Sequence, residues 1–113
     1  MKIRSYTKGD IVVLEPEGRI IPGKDVGELD ERLYALLKNG QKKVIVDLQK
    51  IAWFGSSGIT LLLHYNCKFK EIGGHLRLAN LTKKIQQIIA ITKLAIAFEI
   101  YDSLEAALES FKG

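Results

Sequence analysis

The polar and apolar positions of this chain form short blocks whose period switches between two and about 3.6. Lys2 to Tyr6 and Ile11 to Glu15 read as two short strands, with Gly9-Asp10 as a hairpin connection. Pro16 has no N–H to give a ladder, so the second strand is expected to end there or to turn that position away from a partner. Gly18 to Lys24, punctuated by Pro22-Gly23, reads as a loop. Val26, Leu29, Leu33, Leu36 and Leu37 then fall on one helical face, with Glu28, Glu31, Arg32 and Lys38 away from it, and Asn39-Gly40 is a stop signal. Lys43 to Leu48 is a third strand, whose unbroken apolar centre predicts cover on both faces.

A second helix is predicted from about Ser57 to Ile72, stopping at Gly73-Gly74. Thr60, His64, Lys68 and Glu71 form its polar stripe, while Ile59, Leu61, Leu62, Leu63, Tyr65, Cys67, Phe69 and Ile72 make an apolar arc wider than one sheet contact requires. A neighbouring helix or a partner must cover the remainder. Leu76 and Leu78 alternate with Arg77 in a fourth strand, and Thr82 is a candidate N-cap for a helix carrying Ile85, Ile88 and Ile89 on one face. Ile96 to Tyr101 reads as the last strand. Asp102, with Glu105 three positions on, is the expected cap of a final helix that buries Leu104, Ala107, Leu108 and Phe111. Strand–helix–strand units imply parallel neighbours joined by right-handed crossovers, and the opening hairpin adds an antiparallel pair. The expected fold is a small α/β sandwich: a mixed sheet of four to five strands and about four helices, in one domain over 1–113.

Composition narrows the class. Apolar residues make up 47% and charged residues 27% of the 113 positions, enough for one core and too much patterning for disorder. One cysteine, Cys67, excludes an internal disulfide and fits a reducing compartment, and on an apolar arc it is expected in the core. No charged-then-apolar leader and no run of membrane-spanning length appears, so a cytoplasmic protein is expected. The net charge of +4 comes from basic residues scattered along the chain rather than clustered with aromatics, which argues against direct nucleic-acid binding.

Three possible chemistries fail on the residues they need. Gly18 to Asp25 places two glycines and Lys24 as a phosphate-binding loop would, but Asp25 stands where a hydroxyl should meet magnesium, and Pro22 lacks a needed N–H. Ser57 lies near a Gly-x-Ser-x-Gly arrangement, but Ile59 takes the last glycine position. His64 and Cys67 share a helix face, yet two ligands are too few for a metal. No cofactor and no metal are expected, and the molecule is expected to be a monomer or weak dimer.

The stretch around which these elements are organised is Val46-Asp47-Leu48 through Trp53-Phe54-Gly55-Ser56-Ser57-Gly58-Ile59. A buried strand leads through a short connection to a serine pair at the start of a helix. There hydroxyls accept from orphan N–H groups and the helix dipole is positive. Trp53 and Phe54, neighbours in an extended connection, point opposite ways, so one is expected in the core and the other beside Ser56. Serine at a helix start is also an ordinary cap in proteins that are never modified.

A strand ending in Asp-Leu, an aromatic-rich connection and a Ser-Ser-Gly-Ile step into an apolar helix resemble the signature of the STAS domain of bacterial anti-sigma factor antagonists. Gly18-Arg19-Ile20 is similar to that family's glycine–residue–apolar step after the second strand. The resemblance extends from Lys2 to Phe111. It implies a protein that is not an enzyme, binds an anti-sigma factor of serine-kinase fold and so frees a sigma factor. It also implies a regulatory phosphorylation at the first serine of the pair, Ser56, with Ser57 as second choice, removed by a phosphatase. The implied partner surface is Arg19, Ile20, Ile21, Phe54, Gly55, Ser56, Ser57 and Gly58. Two positions depart from the family pattern: Gly55 replaces an aspartate, and Ile21 replaces a common acidic residue. Two other readings stay open. One is a non-phosphorylated scaffold or accessory subunit, for instance of a lipid-transport ATPase. The other is a small-ligand site at the helix N-terminus.

Overall fold

A computed structural model describes residues 2–92 and 95–112. The strands are β1 (Lys2–Lys8), β2 (Ile11–Ile20), β3 (Lys43–Asp47), β4 (Ile51–Phe54), β5 (His75–Ala79) and β6 (Glu99–Tyr101); the helices are α1 (Lys24–Lys38), α2 (Ser56–Glu71), α3 (Lys83–Thr92) and α4 (Leu104–Ser110). The sheet order is β1-β2-β3-β5-β6, with β4 paired to β2. Only β1 is antiparallel to its neighbour, as the Gly9-Asp10 hairpin requires. The mixed α/β sandwich is therefore as expected, with one additional strand.

β2 is the spine of the domain. Its first half, Val12–Leu14, pairs with β3, and its last residues, Gly18–Ile20, pair with β4. Pro16 falls between these two ladders, where a missing N–H is harmless, so the strand continues through it rather than ending at Glu15. Side chains on one sheet face pack with α1, α2 and α3: Val12, Leu14, Val44, Val46, Leu76 and Leu78 meet Leu29, Leu33, Ile59, Leu62, Phe69, Ile85 and Ile89. The opposite face is smaller, with Ile11, Val13, Ile45 and Ala79 against Ala107 of α4. The Val44-Ile45-Val46 run is fully buried because its residues alternate between these two cores.

The wide apolar arc of α2 is covered largely from within the chain. Tyr65 is buried, and its hydroxyl donates to the Asp30 carboxylate on α1, which ties the helices together. Thr60, His64, Lys68 and Glu71 face solvent as the pattern predicted, but so does Cys67, contrary to its expected place in the core. The position lies on the side of α2 that neither the sheet nor α1 covers. Thr82 caps α3 as expected, its Oγ1 accepting from Ile85 N at 3.3 Å. Two boundaries near the C-terminus differ from expectation. Ala95–Ala97 form a 3-10 turn, so β6 is shorter than predicted, and Ile96 is almost fully exposed. Ser103, rather than Asp102, caps α4: its backbone is extended and its Oγ accepts from Ala106 N at 3.0 Å. Asp102 stands one residue too early to reach those donors. No helix among the described residues is long and apolar enough to cross a membrane.

Candidate functional site

The candidate site is built on the β3–β4 turn. Asp47, at the end of β3, is fully buried, and its Oδ1 accepts from Gln49 N at 3.2 Å and from Asn80 Nδ2 at 3.1 Å. Leu48 N donates to Ala79 O, and Ile51 N to Leu48 O, which closes the turn and returns the chain as β4. A second buried carboxylate, Glu15, lies across from the turn. Gln49 Nε2 donates to it at 3.2 Å, and Lys50 and Arg4 pair with it at 3.2 and 3.7 Å. Burial alone would raise the Glu15 pKa, but the Gln49 and Lys50 hydrogen bonds and the two nearby cations outweigh it and hold the acid below its ordinary value. Glu15 correspondingly raises the Lys50 pKa. Gly18 N donates to Lys50 O at 2.9 Å, so the turn is fixed to β2 by backbone as well as by charge.

β4 then runs beside the end of β2. Between the pairs Gly18↔Ile51 and Arg19↔Trp53, β4 advances two residues while β2 advances one, so Ala52 is the extra residue of a bulge. The bulge puts Ile51 and Phe54 inward together, leaves Ala52 exposed and turns Trp53 to the other face. It also hides the strand from a period-two reading, which is why the segment Ile51–Phe54 looks like a loop in the sequence. Phe54 is 1% exposed and Trp53 is half-buried, so the pair divides between core and surface as expected.

α2 begins one residue before its predicted start. Gly55 is the N-cap, extended at φ −93° and ψ −179°, and its carbonyl accepts from Gly58 N and Ile59 N. Ser56 and Ser57 are therefore first-turn residues, and no side chain caps the helix end. This corrects the expectation that the serine hydroxyls cap α2, because an N-cap side chain must leave from the extended residue before the helix. The two serines differ sharply. Ser56 is exposed, with Thr60 Oγ1 donating to its carbonyl at 2.9 Å. The Ser57 hydroxyl is buried and has no hydrogen-bond partner among the described residues.

Gly58 is buried, and a Cβ there would lie 3.0 Å from the Phe54 ring. A Cβ on Gly55 would lie 2.6 Å from Cη2 of Trp53, whose ring occupies the space a side chain at position 55 would need. Arg19, exposed on β2, holds its guanidinium 5.8 Å from the centre of the Trp53 ring. Ile20 is buried beside Phe54, while Ile21 remains 43% exposed. Of the predicted partner-surface residues, the fold thus brings Arg19 and Gly55 against Trp53, with Ser56 following Gly55 in the chain and Ile21 just beyond the end of β2. Ile20, Phe54 and Gly58 lie beneath as support, and the Ser57 hydroxyl is buried with them. The phosphate-loop resemblance dissolves: Gly18 belongs to β2, and the Asp25 carboxylate accepts from Ile21 N at 2.8 Å, filling the place of an anion with the chain's own charge. Trp53, Asp47, Glu15, Gln49 and Asn80 were not among the predicted site residues. The Asp-Leu strand end was the one visible sign of the buried support.

A STAS domain profile matches residues 2–107. The chain belongs to the STAS domain family. BtrV of Bordetella bronchiseptica, provisionally named an anti-sigma factor antagonist, is 24% identical over 93 residues, covering 82% of this chain and 80% of its own. Among solved structures, this STAS protein is similar to the anti-sigma factor antagonist SpoIIAA in its unphosphorylated form, with TM-score 0.79, 16% identity and 99% of both chains covered. It also matches the phosphorylated form of SpoIIAA from Bacillus, with TM-score 0.76, 15% identity, and 98% of this chain and 100% of that one covered. The anti-sigma factor antagonist from Mycobacterium paratuberculosis gives TM-score 0.88 at 19% identity, covering 99% of this chain and 94% of that one. These likenesses establish the fold, and the relatives they come from are themselves named anti-sigma factor antagonists.

Proposed function

We propose that this STAS protein is an anti-sigma factor antagonist without enzymatic activity. It binds an anti-sigma factor of serine-kinase fold through the surface around the N-terminus of α2 and is released when that kinase phosphorylates Ser56; a phosphatase resets it. The observation that carries the reading is the contrast between the two serines: in the Ser-Ser-Gly-Ile step, Ser56 is exposed on the first turn of α2, whereas the Ser57 hydroxyl is buried. A kinase needs the hydroxyl at the surface, which favours Ser56 over Ser57. A phosphate there adds roughly −1.5 to −2 charges beside the positive end of α2, a locally favourable position. Modification would therefore act on the partner rather than by unfolding the domain.

Incubating the protein with the kinase-fold anti-sigma factors of the same genome and ATP, followed by peptide mass spectrometry, tests this. Phosphate is expected on Ser56 and is expected to vanish in Ser56→Ala. A second reading, a STAS scaffold that is never phosphorylated, is favoured by one feature: Trp53 covers Gly55 and leaves no room for the family's acidic side chain. Absence of label with every such kinase, together with co-purification with a transporter ATPase, would favour the scaffold.

A further inference from the structure

The surface at Trp53, two positions before the N-cap of α2, combines an aromatic ring with a cation. Trp53 packs its ring across Gly55, so the indole is held in place on one side while staying partly accessible. Arg19 lies against the same ring, and Ile21 is exposed just beyond the end of β2. No acidic residue occupies the first turn of α2. Two acids lie four positions from Ile21: Asp25 is buried with its carboxylate on the Ile21 N–H, and Glu17 is paired with Lys50 at 3.5 Å.

We propose that Arg19, Trp53 and Ile21 form the specificity-determining part of the docking surface, and that they select an anti-sigma partner presenting an acidic side chain beside an apolar hollow. The inference rests on the proposed function and names the chemistry of its partner. An aromatic ring already fixed by the fold loses little side-chain freedom on docking, and Trp and Arg are the residues that most often dominate an interface. The exposed guanidinium beside the ring sets the charge: a basic partner surface is repelled and an acidic one is drawn in. The same arrangement explains how phosphate on Ser56 would act. The new negative charge would compete for Arg19 and repel the partner's acid, reversing the complementarity at the site.

The experiment measures binding of wild type, Arg19→Glu, Trp53→Ala and Ser56→Asp to each purified kinase-fold anti-sigma protein of the same genome. Biolayer interferometry at about 50 and about 300 mM salt varies the electrostatic screening, and thermal midpoints serve as the folding control. Arg19→Glu and Trp53→Ala are each expected to weaken the wild-type partner's binding by about tenfold or more. Wild-type binding should weaken with salt, and Arg19→Glu binding should do so far less. Replacing the partner's facing acid by lysine should restore Arg19→Glu. Arg19 is exposed, so its variant remains informative if Trp53→Ala fails to fold. If Arg19→Glu binds like wild type while Ser56→Asp does not, the antagonist reading stands and this inference falls. If no such protein binds wild type, both fall.

Discussion

Substitutions at Gly58 and Ser57 test the placement of α2 most directly. A Cβ on Gly58 would stand 3.0 Å from Cε2 of Phe54 and 3.3 Å from Cδ2 and Cζ. Comfortable carbon contacts lie at about 3.5–4.0 Å, so the ring must retreat by several tenths of an ångström. Phe54 is 1% exposed and belongs to the main core, so the ring cannot escape to solvent. Overpacking of this kind costs about 1–3 kcal/mol. Gly58→Ala recovers up to about 1 kcal/mol of helix propensity, leaving a net loss of roughly 0–2 kcal/mol. Gly58→Val adds two more methyl groups and keeps less of that propensity, so it should lose about 2–3 kcal/mol. Ser57 behaves oppositely. Its hydroxyl is buried and has no partner among the described residues, a condition that costs about 1–3 kcal/mol where it is complete. Ser57→Ala should therefore be neutral or stabilising by up to about 1 kcal/mol, not destabilising as the loss of a cap would be. Urea midpoints at unchanged slope would measure both effects. A Gly58→Val variant as stable as wild type, or a Ser57→Ala variant weaker by 1 kcal/mol or more (about the value of a cap), would refute this account of the helix start.

Gly55→Ala should disturb Trp53 rather than the backbone, since φ at Gly55 is open to any residue while its Cβ would overlap the indole. Trp53 is the only tryptophan, so its fluorescence should shift in Gly55→Ala, and Gly55→Ala should be better tolerated in a Trp53→Ala background. Because the Glu15 pKa is lowered in the folded state, its ion pairs stabilise the protein fully above the ordinary value of 4.5 and lose that contribution as pH falls through the folded value. Glu15→Gln should accordingly lower the thermal midpoint at pH 7, with the difference from wild type shrinking in acid below 4.5. Ser56→Asp should lose the anti-sigma partner while its thermal midpoint stays level or rises, by the equivalent of at most about 1 kcal/mol. Loss of binding through unfolding would contradict that reading.

Local pattern determined most of the elements. Leu29 and Leu33, or Ile85 and Ile89, recur at a period that only a helix can bury on one face, and Val44-Ile45-Val46 needs cover on both sides of a strand. The serine step into α2 was legible for the same reason, since a turn of small residues before an apolar helical run is a local signal. What the sequence could not decide depends on residues far apart in the chain. β4 exists because β2 extends past Pro16 and offers a second ladder, and its Ala52 bulge breaks the alternation that would have revealed it. Gly55 looks like the simple loss of an acid until the fold places the Trp53 ring where that side chain would stand. Ser56 and Ser57 have the same chemistry and adjacent positions. Only the packing of the first turn of α2 leaves one hydroxyl at the surface and buries the other, because which way a side chain faces is set by the helix start and by what lies beneath it.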